Sequence, residues 1–220
     1  MSTNLDRIAK SYGTDKSSEI HNYCEKYANY LPFERYSELN ILEIGVLDGQ
    51  SVKTWKDYFY RANITGIDIN PDCKQYEEDK IKIEIGSQAD NVFLNEVMRK
   101  HGPFDMILDD GSHMNSHVIY SFEHLFESVK SGGVYIVEDC TTSYWADWEG
   151  GFRKETTMME YFKRLTDDVN FRGIMNFNKP NVHARREDWC TENILKEQPD
   201  CRTDIESITF LNGIILIRKR

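Results

Sequence analysis

Short apolar runs alternate along this chain with stretches in which apolar residues recur at helical spacing. The apolar runs occupy residues 40–45, 63–69, 81–85, 104–108 and 134–137. Helical spacing marks residues 51–61, 92–101 and 118–129, and glycines at 102 and 132–133 predict the ends of the last two helices. Strands separated by crossover helices form parallel sheets with right-handed connections. The pattern therefore predicts an α/β domain with five parallel strands.

The last strands follow a different pattern. Two apolar segments, 207–211 and 214–217, flank Asn212-Gly213. Asn-Gly suits the two central positions of a primed turn, so this segment is a predicted antiparallel hairpin. A parallel sheet that ends in such a hairpin is a variant of the doubly wound fold.

The two remaining regions are less regular. Tyr12-Gly-Thr-Asp-Lys16 reads as a turn and cap before a helix that bears Ile20, His21, Tyr23 and Tyr27. Within residues 146–206, one amphipathic helix is predicted from the spacing of apolar residues between Met158 and Val169. Because this region follows the fifth strand, we expect a substrate-side cap at the carboxyl edge of the sheet. A surface insertion without ligand contact is the alternative.

Composition narrows the class of protein. The 220 residues fit one domain, and 37 acidic against 27 basic residues give a net charge of −10, which argues against a general nucleic-acid binder. No run approaches the ~18 apolar residues of a membrane span, and the first residues lack the apolar core of a secretory signal. Five scattered cysteines without a CxxC motif read as reduced thiols, so we expect a cytoplasmic protein without a disulfide framework.

Polar and glycine-rich loops after the first three strands suggest a nucleoside-type ligand. The first, Glu43-Ile-Gly45-Val-Leu-Asp-Gly49, allows close backbone approach but lacks the dinucleotide GxGxxG pattern. Asp68 follows about 20 residues later, where an acid accepts hydrogen bonds from ribose hydroxyls. Ser87 and Gln88 lie in Gly86-Ser-Gln-Ala-Asp90, at the expected adenine edge. Ordinary turns and an N-cap cluster are the alternatives.

Acidic residues follow the fourth and fifth strands. Adjacent parallel strands lie ~4.8 Å apart, so Asp110, Glu138 and Asp139 are expected to converge. Three crowded carboxylates call for a cation, and oxygen ligands suit Mg²⁺. The alternative is that these acids cap helices. Asp109 either orients the amino group of the ligand or caps the next turn.

His113 lies three residues beyond Asp110 on the same loop. An imidazole beside a metal-bound hydroxyl suits a general base, because its pKa lies near the working pH. As a metal ligand it would instead indicate zinc or iron. A structural histidine is the third interpretation.

These motifs together resemble a known family, the metal-dependent sugar O-methyltransferases typified by the mycinamicin and macrocin enzymes and related to cephalosporin hydroxylase-like proteins. The resemblance spans about residues 10–145 and rests on six elements. They are Gly13-Thr-Asp-Lys16 with His21 and Tyr23, Leu42-Glu-Ile-Gly-Val46, Gly86-Ser-Gln-Ala-Asp90, Asp109-Asp-Gly-Ser-His113, Glu138-Asp139, and Tyr144-Trp145. It implies a Rossmann-like class I methyltransferase fold: a seven-stranded, mostly parallel sheet with a C-terminal antiparallel hairpin, in one domain over residues 1–220.

The resemblance also implies roles for individual residues. S-adenosyl-L-methionine would contact Thr14, His21, Glu43, Gly45, Asp68, Ser87, Gln88 and Asp109. Mg²⁺ would be held by Asp110, Glu138 and Asp139, with His113 as the catalytic base. Residues 1–38 would form lid helices, of which the segment from Thr14 to His21 folds over the cofactor.

The expected function is Mg²⁺-dependent methylation of a sugar hydroxyl of a glycan or glycoside, in polysaccharide or natural-product synthesis. The expected partner is a sugar or glycan acceptor, and a homo-oligomer is a possible assembly. Alternatives are a catechol-type methyltransferase for small phenols, a metal-dependent hydroxylase-like enzyme, and a non-catalytic cofactor-binding subunit. An apolar slot of Trp145, Trp148 and Trp189 would favour a phenol, whereas an open polar cleft would favour a glycan.

Overall fold

The computed structural model describes residues 3–171, 193–196 and 198–220, and seven strands in it form one sheet. The strands are β1 (Asn40–Ile44), β2 (Asn63–Asp68), β3 (Ile81–Ile85), β4 (Phe104–Asp109), β5 (Val129–Val137), β6 (Ile205–Leu211) and β7 (Ile214–Lys219). Their order is β3-β2-β1-β4-β5-β7-β6. The first five strands pair in parallel, and β7 pairs antiparallel with both β5 and β6. The predicted parallel sheet with a terminal hairpin is confirmed.

Helices connect the strands and cover the sheet. They are α1 (Asn4–Tyr12), α2 (Tyr23–Tyr30), α3 (Gln50–Tyr58), α4 (Asn91–His101), α5 (Asn115–Leu125), α6 (Met158–Arg164) and α7 (Thr166–Val169), and residues 193–196 are also helical. The side chain of Asp90 accepts hydrogen bonds from the backbone N–H groups of Val92 and Phe93, which starts α4. No described helix is long and apolar enough to cross a membrane.

The core lies on both faces of the sheet. Successive side chains of a strand point to opposite faces, so Ile41 packs with the cluster around Trp55 and Leu42 packs with the cluster around Phe122. Both side chains are fully buried. This two-sided burial explains why the strands of the parallel sheet appear in the sequence as apolar runs.

The sequence predicted that the glycine pair at 132–133 ends a helix, but in the structure the pair lies within β5. Helix α5 ends at Leu125, a 3₁₀ turn covers residues 126–128, and β5 already begins at Val129. The pairing of β4 with β5 shifts register between Phe104 and Met106, opposite the segment that contains the glycines. Gly132 has a φ of 77°, so the pair belongs to an irregularity within the strand.

Two other predicted helices begin or end differently. Residues 13–22 form turns, so Ile20 and His21 precede α2 rather than belong to it. Helix α1 lies within residues 1–38, the range in which the family resemblance implied lid helices. The amphipathic helix predicted over 158–169 divides into α6 and α7 at Leu165. There the hydroxyl of Thr166 donates to the carbonyl oxygen of Lys163, a local bond that competes with helix continuation. Trp189, Cys190 and much of the predicted cap lie outside the described residues.

Candidate active site and metal centre

A cavity of about 360 Å³ opens at the carboxyl ends of the parallel strands. It lies where the strand order reverses between β1 and β4, the position at which doubly wound sheets bind ligands. The predicted site residues that line it are Gly45, Asp68, Ser87, Gln88, Asp110, His113 and Asp139. Thr14, His21, Glu43, Asp109 and Glu138 are not among its lining residues.

Gly45 brings the loops after β1 and β4 into contact. Its φ is 91°, and a Cβ atom at this position would collide with the carbonyl oxygen of Asp110. The backbone N–H of Asp110 in turn donates to the carbonyl oxygen of Ile44 at 2.9 Å. The first glycine of the loop is therefore needed for the close approach of two backbones.

Asp68 organises the same loop. Its Oδ2 accepts hydrogen bonds from the backbone N–H groups of Val46 at 2.8 Å and Leu47 at 3.0 Å. Burial alone would raise the pKa of this carboxyl, but backbone hydrogen bonds from Asn70, Leu47 and Val46 bring the pKa below its usual value. Asp68 thus stays charged while it lines the cavity.

Asp109 points into the protein. It accepts hydrogen bonds from Gln88 Nε2 at 3.0 Å, the Ser121 hydroxyl at 2.5 Å and the Tyr135 hydroxyl at 2.9 Å. Burial raises the pKa of Asp109, and these hydrogen bonds partly oppose the shift. Gln88 Oε1 also accepts the backbone N–H of Ser112 at 2.7 Å. Asp109 and Gln88 therefore brace the loop that carries Asp110.

Three other predicted cofactor residues lie outside the cavity lining. Thr14 is buried, with its hydroxyl 3.4 Å from the backbone nitrogen of Lys16. His21 Nε2 lies 3.7 Å from Oδ2 of Asp15, and it is Asp15 that lines the cavity. Glu43 is fully buried, which raises its pKa to about 7, and the positive charge of Lys16 opposes the shift.

Asp110, His113 and Asp139 converge at the cavity wall. Each offers one ligand atom, and these atoms lie within 4.8 Å of one another. His113 Nε2 is 3.9 Å from Asp110 Oδ1 and 3.7 Å from Asp139 Oδ2. All three side chains are partly accessible, at 18–25 %. The carboxylate oxygens of Asp110 and Asp139 fit a divalent cation that retains open positions for substrate oxygens, and the imidazole of His113 lies beside them.

The backbones of His113 and Asp139 are held in an unusual conformation. Their φ angles are 56° and 48°, in the left-handed region that non-glycine residues rarely adopt. The hydroxyl of Thr142 lies 3.2 Å from the carbonyl oxygen of His113 and 2.9 Å from that of Asp139. Such strain persists where the surroundings over-determine it, and it is typical of functional sites.

Glu138 lies beneath this cluster and contacts a lysine that the sequence reasoning missed. Its Oε2 is 2.8 Å from Nζ of Lys16, and its Oε1 accepts a hydrogen bond from the Tyr27 hydroxyl. Lys16 also pairs with Asp110, so one ammonium lies between two of the three predicted metal-binding carboxylates. Burial lowers the pKa of Lys16, but Asp110 and Glu138 outweigh it and raise that pKa.

The signal for Lys16 was weak in the sequence. It stands in a turn motif, 94 positions before Asp110 and 122 before Glu138. Nothing in local spacing connects a lysine in such a turn with acids at the ends of two strands. The one indication was the predicted convergence of Asp110, Glu138 and Asp139, which calls for a positive charge from another part of the chain or from a metal ion.

Curated proteins of known activity match most of this chain. No protein-family model matches it. It is 38% identical over 178 residues to L-olivosyl-oleandolide 3-O-methyltransferase of Streptomyces antibioticus, a match that covers 76% of this chain and 46% of the relative. It is 34% identical over 224 residues to an 8-demethyl-8-alpha-L-rhamnosyl tetracenomycin-C 2'-O-methyltransferase of Streptomyces olivaceus. That match covers 98% of this chain and 54% of the relative. The chain spans about half the length of the curated relatives it matches.

A solved structure agrees over the whole chain. The MycE methyltransferase of the mycinamycin pathway, in complex with Mg and SAH, superposes with a TM-score of 0.82 at 28% identity, covering 100% of this chain and 55% of that chain. The expected Rossmann-like class I methyltransferase fold is thereby confirmed.

Proposed function

The chain belongs to the family of sugar O-methyltransferases represented by these relatives, and we propose that it transfers the methyl group of S-adenosyl-L-methionine to a sugar hydroxyl of a natural-product glycoside. One observation carries the proposal: the cavity shaped by Gly45 and Asp68 directly adjoins the cluster of Asp110, His113 and Asp139. A nucleoside-type ligand and a cation-bound acceptor would therefore meet at one wall of a single cavity.

The cofactor would bind along the glycine loop. Gly45, Asp68, Ser87 and Gln88 line the cavity there, and MycE, solved with SAH, supports the assignment. Thr14, Glu43 and Asp109 would support this site from buried positions, and His21 through its contact with Asp15. The segment of residues 13–22 would act as the lid, with Asp15 as the residue that reaches the cavity.

Mg²⁺ would be held by Asp110, Glu138 and Asp139. Asp110 and Asp139 face the cavity, whereas Glu138 lies outside the cavity lining and shares the ammonium of Lys16 with Asp110. The ion, when bound, supplies a positive charge that lowers the pKa of an acceptor hydroxyl. MycE, solved in complex with Mg, supports this choice of metal.

His113 would take the proton of the acceptor hydroxyl. Its Nε2 lies within 4 Å of carboxylate oxygens of Asp110 and Asp139, at the cavity wall where the acceptor hydroxyl would bind. The acceptor oxygen attacks the methyl carbon, the carbon–sulfur bond breaks, and a neutral thioether leaves without needing an acid. The remaining task of the chain is to align the two substrates.

The alternatives fit the described residues less well. A non-haem iron oxygenase typically presents two histidines and one carboxylate, whereas the cluster here has one histidine and two carboxylates. A pure cofactor-binding subunit has no use for a strained His113 beside two acids. Trp145 and Trp148 stack edge to face at 5.5 Å and Trp145 is half exposed, and the described residues form no closed slot for a phenol.

Calorimetric titration with S-adenosylhomocysteine, with and without Mg²⁺ after chelator treatment, tests the cofactor first. We expect micromolar binding by the folded chain. Methyl transfer is then measured with desmethyl macrolide and tetracenomycin glycosides and with dihydroxybenzoate as the phenolic competitor. Mg²⁺-dependent methylation of a glycoside is expected; no binding of S-adenosylhomocysteine, or transfer to the phenol alone, would overturn the proposal.

A further inference from the structure

We infer that Tyr23 is a positioning residue for Asp139 and that Gly213, in the turn between β6 and β7, keeps Tyr23 in place. The inference rests on the proposed metal site and adds two residues from opposite ends of the chain to it. Neither residue lines the cavity. Both act through the carboxylate of Asp139 and not through a contact of their own with a ligand.

The hydroxyl of Tyr23 fixes one oxygen of Asp139. It donates a hydrogen bond to Oδ1 at 2.6 Å, while Oδ2 of the same carboxylate lies 3.7 Å from His113 Nε2. The hydrogen bond to Oδ1 fixes the rotation of the Asp139 carboxylate about its χ2 angle. Oδ2 therefore points toward His113 and the rest of the cluster. Outer partners of this kind orient metal ligands and tune their affinity.

The ring of Tyr23 is itself held from several sides. It is 5 % exposed, and His21 stacks on it at 5.2 Å with an interplanar angle of 21°. The ammonium of Lys26 lies 4.6 Å from the ring centroid and also donates to the carbonyl oxygen of Asn212 at 2.8 Å. The hydroxyl therefore has little freedom to leave Asp139.

The hairpin turn completes the support. A Cβ atom on Gly213 would lie 2.6 Å from the Tyr23 hydroxyl oxygen and about 3.1 Å from the ring edge. The carbonyl oxygen of Gly213 accepts the backbone N–H of Cys140, the residue after Asp139, at 3.1 Å. A glycine is thus required here for close approach as well as for its φ of 80°.

The experiment compares Tyr23→Phe with the wild-type chain, with Tyr30→Phe as the matched control and Asp139→Asn as the reference for a damaged metal site. Tyr30 lies on the same helix, half exposed. Binding of Mn²⁺ alone is followed by the loss of the free-ion signal in electron paramagnetic resonance. S-adenosylhomocysteine affinity and the thermal unfolding midpoint are measured on the same samples.

We expect Tyr23→Phe to weaken Mn²⁺ binding on the order of tenfold, with S-adenosylhomocysteine affinity and the unfolding midpoint close to wild type. Tyr30→Phe should leave all three unchanged. Wild-type Mn²⁺ affinity in Tyr23→Phe, with binding lost in Asp139→Asn, overturns this inference alone. Failure of the wild-type chain to bind Mn²⁺ overturns the proposed metal site and this inference with it.

A double-mutant cycle tests the part played by Gly213. Gly213→Ala should weaken Mn²⁺ binding because the added methyl group displaces the hydroxyl of Tyr23. In the combination with Tyr23→Phe that hydroxyl is absent, so Gly213→Ala should weaken Mn²⁺ binding less in the Tyr23→Phe background than in the wild-type chain. Fully additive losses would show that Gly213 does not act through Tyr23.

Discussion

The ammonium nitrogen of Lys16 lies 2.8 Å from Oε2 of Glu138, although 122 positions separate the two residues. Lys16 is 3 % and Glu138 2 % exposed, so the pair is almost completely withdrawn from water. Asp110 contacts the same ammonium at the cavity wall. The N-terminal segment is therefore tied by charge to the ends of β4 and β5, where the candidate metal site lies.

Lys16→Met should strongly destabilise the chain. Removing one partner of a buried ion pair leaves uncompensated charge, here on Glu138 and Asp110, and typically costs about 3–5 kcal/mol. Urea unfolding measures the loss, and added Mg²⁺ should restore part of it by supplying positive charge. Lys163→Met, which removes a half-exposed partner of Glu160, should cost less than about 1 kcal/mol. Equal urea midpoints for Lys16→Met and wild type would contradict the expectation.

His113→Ala should abolish most turnover and leave ligand binding intact. Loss of a general base lowers kcat by about 10²–10⁴-fold. Single-turnover methyl transfer is measured together with Mn²⁺ and S-adenosylhomocysteine affinity, and His124→Ala, on α5, is the control. A parallel fall in Mn²⁺ affinity would identify His113 as a metal ligand instead, and unchanged turnover would remove it from the reaction.

Gly45→Ala should lower the free energy of unfolding by more than the positive φ of Gly45 alone explains. Gly45 and Gly132 both have positive φ, but a Cβ atom on Gly45 meets the backbone of Asp110, whereas one on Gly132 has no atom within 4 Å. Gly132→Ala should therefore lose only about 1–2 kcal/mol of stability. Gly45→Ala should lose more and bind S-adenosylhomocysteine at least about tenfold more weakly, which is about 1.4 kcal/mol. Calorimetry and urea unfolding check both variants, and equal losses would rule out the clash.

Glu43→Gln should flatten the dependence of stability on pH. Burial raises the pKa of Glu43 from 4.5 to about 7, so the folded chain holds this proton more tightly than the unfolded chain. Stability is thus greatest below the unfolded pKa and falls as the pH rises toward 7, by up to about 3 kcal/mol. Urea unfolding between about pH 5 and pH 8 should show a smaller decline in Glu43→Gln. Glu206→Gln, at an exposed position of β6, is the control and should keep the wild-type dependence of unfolding free energy on pH. An unchanged pH dependence in Glu43→Gln would exclude Glu43 as its source.

Several local predictions failed for one physical reason. The Gly132–Gly133 pair was predicted to end a helix but lies at an irregularity within β5. His21 was predicted to lie inside a helix but precedes α2. A glycine or a periodic apolar residue is compatible with more than one local structure. Which one forms depends on the pairing with β4 in the first case and on the turns of residues 13–22 in the second.

The sequence by itself determined the succession of the seven strands and their crossover helices along the chain, and the loops that carry the candidate site residues. Buried parallel strands need apolar runs on both faces, and their carboxyl ends meet at one edge, so Asp68, Asp110 and Asp139 could be placed there in advance. Only the tertiary structure decided what each polar side chain contacts. It turned Asp109 and Glu43 into the interior, brought Lys16 between two carboxylates, and set Tyr23 on Asp139. The contacts of Lys16 and Tyr23 join residues 94 to 122 positions apart. Their geometry arises from packing of the whole chain, which local spacing does not record.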